Sequence, residues 1–245
     1  IIPADLAVMV ENNGYGLAQN VMIESAQPEI IENEKGLAVN FNLIGSNLQG
    51  QPANLGLNTI AFGNINAQSA KIGQWYFTSD LLGHFIDYKT NLVHLGSRGN
   101  PELSLVSGTE LHELVHTISV YDGANDGIDD FLVNEITDNE DTPDAIYLSQ
   151  GNLVYDVYKA STGNFNTLVS APTYSNTLEI TPFAIGWNYI KLDDPGEGAY
   201  EIISVVRSDG QEIPLKNVWL SHVTIRDQGT PNYEDKFHFV DKFEA

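Results

Sequence analysis

Residues 4–21 read Ala4-Asp5-Leu6-Ala7-Val8-Met9-Val10-Glu11-Asn12-Asn13-Gly14-Tyr15-Gly16-Leu17-Ala18-Gln19-Asn20-Val21. Leu6, Val8 and Val10 recur at every second position, the period of a strand with one face turned inward. Asn12-Asn13-Gly14-Tyr15-Gly16 then interrupts the pattern with residues that tolerate the left-handed backbone of a tight reversal. The stretch therefore predicts a strand, a turn and a returning strand.

The same period continues outward. Leu37, Val39, Phe41 and Leu43 alternate, and further strands are expected at Ile60–Phe62, Trp75–Phe77 and Ile86-Tyr88-Thr90-Leu92, between clusters of Gly, Asn, Pro and Ser. That spacing suits a β-sandwich, so residues 1–98 are expected to form an immunoglobulin-like domain. From residue 153 the chain is again strand-rich, at Leu153-Tyr155-Val157, Trp187–Ile190, Tyr200-Ile202-Ser204-Val206, Val218-Leu220-His222-Thr224 and Phe237–Phe239. Ser208-Asp209-Gly210-Gln211 reads as a hairpin turn. The expected fold is mainly β: two β-sandwich domains, 1–98 and 153–245, joined by a connector at 99–152 holding one short helix and an acidic segment. No internal repeat relates the halves.

The strand, Asn-Gly turn and strand of residues 4–21 resemble the CARDB and related N-x-G-x-G-x-A modules, immunoglobulin-like sandwiches of large secreted or surface proteins of bacteria and archaea. The resemblance implies an extracellular or cell-surface setting and an adhesive, stalk or ligand-presenting role without catalysis.

The 245 residues are 42% hydrophobic, enough for real cores. Eleven Lys and Arg against 33 Asp and Glu give a formal charge of −22. Such a field repels nucleic acid and anionic membrane surfaces and favours cations. With no cysteine, disulfides and thiolate metal sites are excluded. No apolar run reaches the ~18 residues of a membrane span. The start at Ile1-Ile2-Pro3, without a basic n-region, is expected of a segment of a larger polypeptide.

His112-Glu113-Leu114-Val115-His116 matches H-E-x-x-H, the pattern by which a helix presents two imidazoles to one zinc and a glutamate to the metal-bound water. A helix is expected here: Thr109 can cap it, Glu110 suits its first turn, and Leu111, Leu114, Val115 and Ile118 form an apolar stripe. With Asn134-Glu135-Ile136-Thr137-Asp138 downstream, the run resembles the gluzincin metallopeptidases, where a second helix supplies a glutamate ligand from N-E-x-x-x-D. Asp138 stands one residue earlier than in that pattern. The resemblance implies zinc on His112, His116 and Glu135, with Glu113 as general base. After Glu135, however, the sequence is turn material, Thr137-Asp138-Asn139-Glu140-Asp141-Thr142-Pro143, and lacks the helices such a site needs.

Residues 122–144 crowd together Asp122, Asp126, Asp129, Asp130, Glu135, Asp138, Glu140, Asp141 and Asp144. Asp122-Gly123-Ala124-Asn125-Asp126-Gly127-Ile128-Asp129-Asp130 resembles an EF-hand calcium loop, with oxygen donors at positions 1, 5 and 9 (Asp122, Asp126, Asp130) and glycine at 6. Ala124 and Val133 replace the ligands of positions 3 and 12, so the expectation is a solvated acidic loop or a calcium site looser than an EF-hand. His222 and His238 could serve a peptidase as oxyanion donors, but they alternate with hydrophobes, as do His84 and His94 in their strand-like runs. Trp75, Trp187 and Trp219 are read as core, with an exposed sugar-binding platform as the alternative. No G-x-S-x-G or phosphate loop is present. The expectation is a non-catalytic extracellular module of a larger bacterial surface or adhesive protein, recognising a protein or glycan; the alternative is a zinc metallopeptidase.

Overall fold

A computed structural model of the chain describes residues 4–25, 41–53, 58–79, 90–94, 106–121, 126–134, 142–151, 153–170, 173–227 and 230–244. The architecture is mainly β, with several sheets, and among the described residues the helical structure is a single 3₁₀ turn, Leu215–Asn217. Among them, no helix is long and apolar enough to cross a membrane. The chain divides into two compact units, Ile1–Leu111 with Asp126–Asp129 and Leu148–Leu153, and the remainder.

The first unit contains β1 (Ala4–Asn12), β2 (Ala18–Ser25), β3 (Phe41–Leu48), β4 (Gln51–Pro52), β5 (Thr59–Ile65), β6 (Ser69–Ser79) and β7 (Thr90–His94). They form one sheet in the order β1-β6-β3-β4 and another in the order β5-β2-β7. The alternating apolar residues of both sheets meet in one core. Val21, Ile23, Ile60, Phe62 and Ile65 from the second sheet pack with Trp75 of the first, flanked by Leu6, Val8, Val10, Leu43 and Leu48. This is sandwich-like packing. Of the expected strands, Leu37 and Val39, and Ile86 and Tyr88, lie outside the described residues.

The turn after β1 differs from the expectation. β1 pairs with β6 and β2 with β5 and β7, so the chain passes from one sheet to the facing one instead of returning beside itself. None of residues 12–16 has positive φ. The Asn12 side chain shapes the crossing: its Nδ2 donates to Gly16 O at 2.7 Å and Ile65 O at 3.0 Å, and its Oδ1 accepts from Gly14 N at 3.1 Å. A side-chain-closed turn needs no left-handed residue.

The second unit contains β8 (Glu113–Ile118), β9 (Asp130–Asn134), β10 (Ala145–Tyr147), β11 (Val154–Lys159), β12 (Thr162–Ser170), β13 (Thr173–Thr181), β14 (Gly186–Asp193), β15 (Val205–Val206), β16 (Glu212–Ile213), β17 (Val218–Asp227) and β18 (Thr230–Phe243). Seven of these make one sheet, β17-β18-β14-β11-β10-β9-β8, antiparallel except for the β11–β14 pair. A parallel pair needs a crossover connection, and the β12–β13 hairpin supplies it. Phe165, Leu178 and Ile180 of that hairpin pack with Ile190, Leu192, Phe237 and Phe239 of the sheet. At Gly163 the approach is so close that a Cβ would overlap Ile190.

Two sequence expectations differ from the structure. The stretch expected as a helix contains strand β8, and β9 and β10 come from the rest of the 99–152 segment. Tyr200, Ile202 and Ser204 are not in a strand; only Val205–Val206 pairs, with β16. Alternation alone does not make a strand without ladder pairing. Ser208–Gln211 does form the expected hairpin turn, with Gly210 at φ +91° and Arg207 N donating to Gln211 O at 2.8 Å.

The sheets of the first unit pack tightly at Gly73, where a Cβ would lie 2.9 Å from Phe62 Cζ and 3.0 Å from Ile60 Cδ1. At Gly45 it would meet only Tyr76, at 3.5 Å. Gly73→Val is therefore expected to destabilise the protein by about 1–3 kcal/mol through overpacking. Gly45→Ala should stay within about 0.5 kcal/mol of the parent, both read by denaturant unfolding.

Candidate functional site

H-E-x-x-H was expected on a helix because residues four apart there share a face. β8 is extended instead, and a register shift between Leu114 and His116 in its pairing with β9 puts an extra residue into the strand. His112 touches the ring of Tyr147, centroids 4.9 Å apart, and Tyr147 pairs with Phe131. His116 instead pairs with Leu132 and stacks on Trp219 at 4.1 Å. Phe131 and Leu132 are adjacent in one strand and point to opposite faces. The two imidazoles are thus turned to opposite sides of the sheet, whereas a shared zinc needs both nitrogens within about 2.1 Å of one point. Glu113 lies near Asn134, whose Nδ2 is 3.4 Å from its Oε2. Glu135 and Asp138 lie outside the described residues.

The acidic segment is divided in the same way. Asp122, Glu140 and Asp141 lie outside the described residues. Gly127 takes the left-handed conformation expected of a loop glycine, φ +79°. Asp126 closes an Asx turn, its Oδ1 accepting from Ile128 N at 2.9 Å, with the Ser149 hydroxyl 3.3 Å away. Asp130 is buried and its Oδ2 accepts from Val120 N at 2.9 Å, so that carboxylate braces backbone. Asp126 belongs to the first unit and Asp130 to the second. Within the first unit, burial and the neighbouring charge of Asp129 raise the pKa of Asp5. Among the described residues, no three His, Asp or Glu side chains gather at metal-binding spacing.

The most organised polar group lies on the face of the second sheet that carries His116. Trp219 of β17 is stacked between His116 of β8 and His238 of β18, whose ring is 4.8 Å from its own. His238 Nδ1 is 2.7 Å from the Tyr189 hydroxyl and its Nε2 is 2.7 Å from the Ser221 hydroxyl. Burial, with the positive surroundings of Lys191, His116 and Lys236, lowers its pKa to about 4. At neutral pH it is an uncharged ring with a hydroxyl partner at each nitrogen. The Ser221–His238 contact has the length of a nucleophilic dyad, but the second nitrogen meets a tyrosine hydroxyl where a triad places a carboxylate. The arrangement fixes the imidazole within the sheet's aromatic layer.

His222, the other histidine of β17, is half exposed, pairs with Asp235 and stacks near Tyr233. Trp75 and Trp187 are buried. His84 lies outside the described residues. In the sequence His238 reads as a strand residue alternating with hydrophobes, and nothing there connects it with Tyr189 or Ser221. Only the register of three strands brings them together.

Comparisons with protein-family models, with curated proteins and with solved structures find no match to this chain.

The buried neutral His238 has a sign-definite consequence. Its folded-state pKa lies below the ordinary histidine value near 6.5, so the unfolded chain binds the extra proton first as pH falls. Stability contributed above about pH 6.5 is lost progressively down to about pH 4. Partial solvent screening brings the expected loss to the order of 2 kcal/mol. The difference in unfolding free energy between the parent and His238→Gln, followed from pH 7 to 4, should narrow by that amount; a constant difference would contradict a neutral buried ring.

Proposed function

We propose that the chain is a non-catalytic extracellular module of a larger bacterial surface or adhesive protein, and that its first unit is an immunoglobulin-like sandwich of the CARDB kind. The observation that carries this reading is that His112, just before β8, contacts Tyr147 while His116 stacks on Trp219, an arrangement that favours separate packing roles for the two rings over a shared zinc. The two facing sheets of the first unit, β1-β6-β3-β4 and β5-β2-β7, support the sandwich half of the proposal. A net charge of −22 favours a partner other than nucleic acid.

Calcium belongs to the proposal as a stabiliser. Gly127 makes the loop turn, and Asp5 and Asp129 repel one another in the first unit, a repulsion that a divalent cation would relieve. The neighbouring domains of the larger polypeptide and a protein or glycan ligand are its partners.

Two measurements test the reading. Protein loaded with zinc and then dialysed is expected to retain well under one equivalent and to leave casein uncleaved; stoichiometric zinc that disappears in Glu135→Ala would support the peptidase instead. Calcium at 100 times its dissociation constant should stabilise the fold by about 2.7 kcal/mol. That appears as a rise in melting temperature, reversed by chelator and reduced in Asp126→Ala. An unchanged melting temperature would remove calcium from the proposal.

A further inference from the structure

A cleft of about 610 Å³ opens on the second unit, and its walls include Lys159, Lys191, Lys236, Ser161, Thr162 and Tyr189. The composition makes this unusual. Acidic residues outnumber basic ones 33 to 11 across the chain, yet three lysines border one cleft.

Strand register explains how they gather. Lys159 of β11 pairs with Tyr189 of β14, Lys191 of β14 with His238 of β18, and Asp193 with Lys236. Residues 189, 191 and 193 alternate along one strand and share a face, as do 236 and 238 along its neighbour. The lysines therefore project from the same side of three adjacent strands. Lys236 Nζ is 2.6 Å from Asp193 Oδ1, but the Asp193 side chain is 90% exposed. A pair facing water in this way is worth about 0–1 kcal/mol and yields readily to another carboxylate. The local positive field extends inward, where Lys191 and Lys236 help to keep His238 uncharged.

The lining also indicates what kind of anion would fit. Lysines act as point charges without the fixed fork of arginine, so they suit separated carboxylates. Ser161 and Thr162 offer hydroxyls that donate and accept, as sugar hydroxyls require. The volume falls within the ~300–1,000 Å³ range of small-molecule sites. It is many times the ~30 Å³ of a water molecule, too large for one small inorganic anion to fill.

We propose that this cleft binds an acidic saccharide, its carboxylates held by Lys159, Lys191 and Lys236 and its hydroxyls by Ser161 and Thr162. The inference rests on the adhesive reading above and names the class of ligand that such a module would take.

The test is calorimetric titration of the whole chain with an oligogalacturonate of two to four units, beside the uncharged galactose oligomer, inorganic phosphate and inorganic sulfate. The acidic oligomer is expected to bind, with the neutral one and both inorganic ions at least tenfold weaker. Lys159→Ala and Lys191→Ala, both at exposed positions, should each weaken binding about fivefold or more, the equivalent of one exposed charge contact, while leaving the melting temperature unchanged. Lack of binding by the acidic oligomer, equal binding of the neutral oligomer, or unchanged affinity in both lysine variants would overturn the proposal. Phosphate or sulfate binding as tightly as the oligomer would reduce the cleft to a simple anion site and also overturn it. None of these outcomes bears on zinc retention or proteolysis, so the cleft can fail while the non-catalytic reading stands.

Discussion

The second unit depends on bringing the two ends of one sheet together. β8 and β17 lie at opposite ends of the strand order, yet Ser119, just after β8, donates its N–H to Asn217 Oδ1 at 2.9 Å, and His116 stacks on Trp219. Asn217 is fully buried in the 3₁₀ turn that leads into β17. A twisted sheet left open exposes two edges of unpaired backbone. Here a buried amide and a stack of rings join the edges, and the face they enclose becomes the aromatic layer containing Trp219, His238 and Tyr189.

The same closure accounts for the fate of H-E-x-x-H. On a helix the four-residue spacing would bring both imidazoles to one point; on a strand that spacing covers about 13 Å, and the added residue of the bulge turns one ring to the other face. Leu111, Leu114, Val115 and Ile118 match a helical stripe, but β9 offers β8 a hydrogen-bonding partner. Pairing with β9 outweighed local periodicity, as tertiary context commonly does. His116 forms one layer of a ring stack with Trp219.

Polar burial in this unit is organised in a similar way. Asp241 is buried, accepts from the Tyr121 hydroxyl and from Lys242 N at 2.7 Å, and lies 3.6 Å from Arg207 Nη1. Burial raises its pKa and that of Tyr121. Such groups are tolerated in a core only when partnered; Asp241 of β18 meets Tyr121 from the segment after β8, and His238 of β18 meets Tyr189 and Ser221 from two other strands.

Much of the fold was legible in the sequence. The alternation of Leu6, Val8 and Val10, the apolar runs at Ile60–Phe62 and Trp187–Ile190, and the Asp-Gly turn at 209–210 appear in the structure because period-two burial and turn chemistry are local properties. The candidate sites were not legible. Whether Asn12 returns the chain beside itself or carries it to a facing sheet, whether His112 and His116 share a face, and whether Lys159, Lys191 and Lys236 line one cleft all depend on which strands are neighbours and in what register. The sequence by itself determined a mainly β chain with a strong negative charge and no thiol chemistry. Only the tertiary structure decided which side chains meet, because strand pairing is a long-range choice and one inserted residue reverses the face that a side chain occupies.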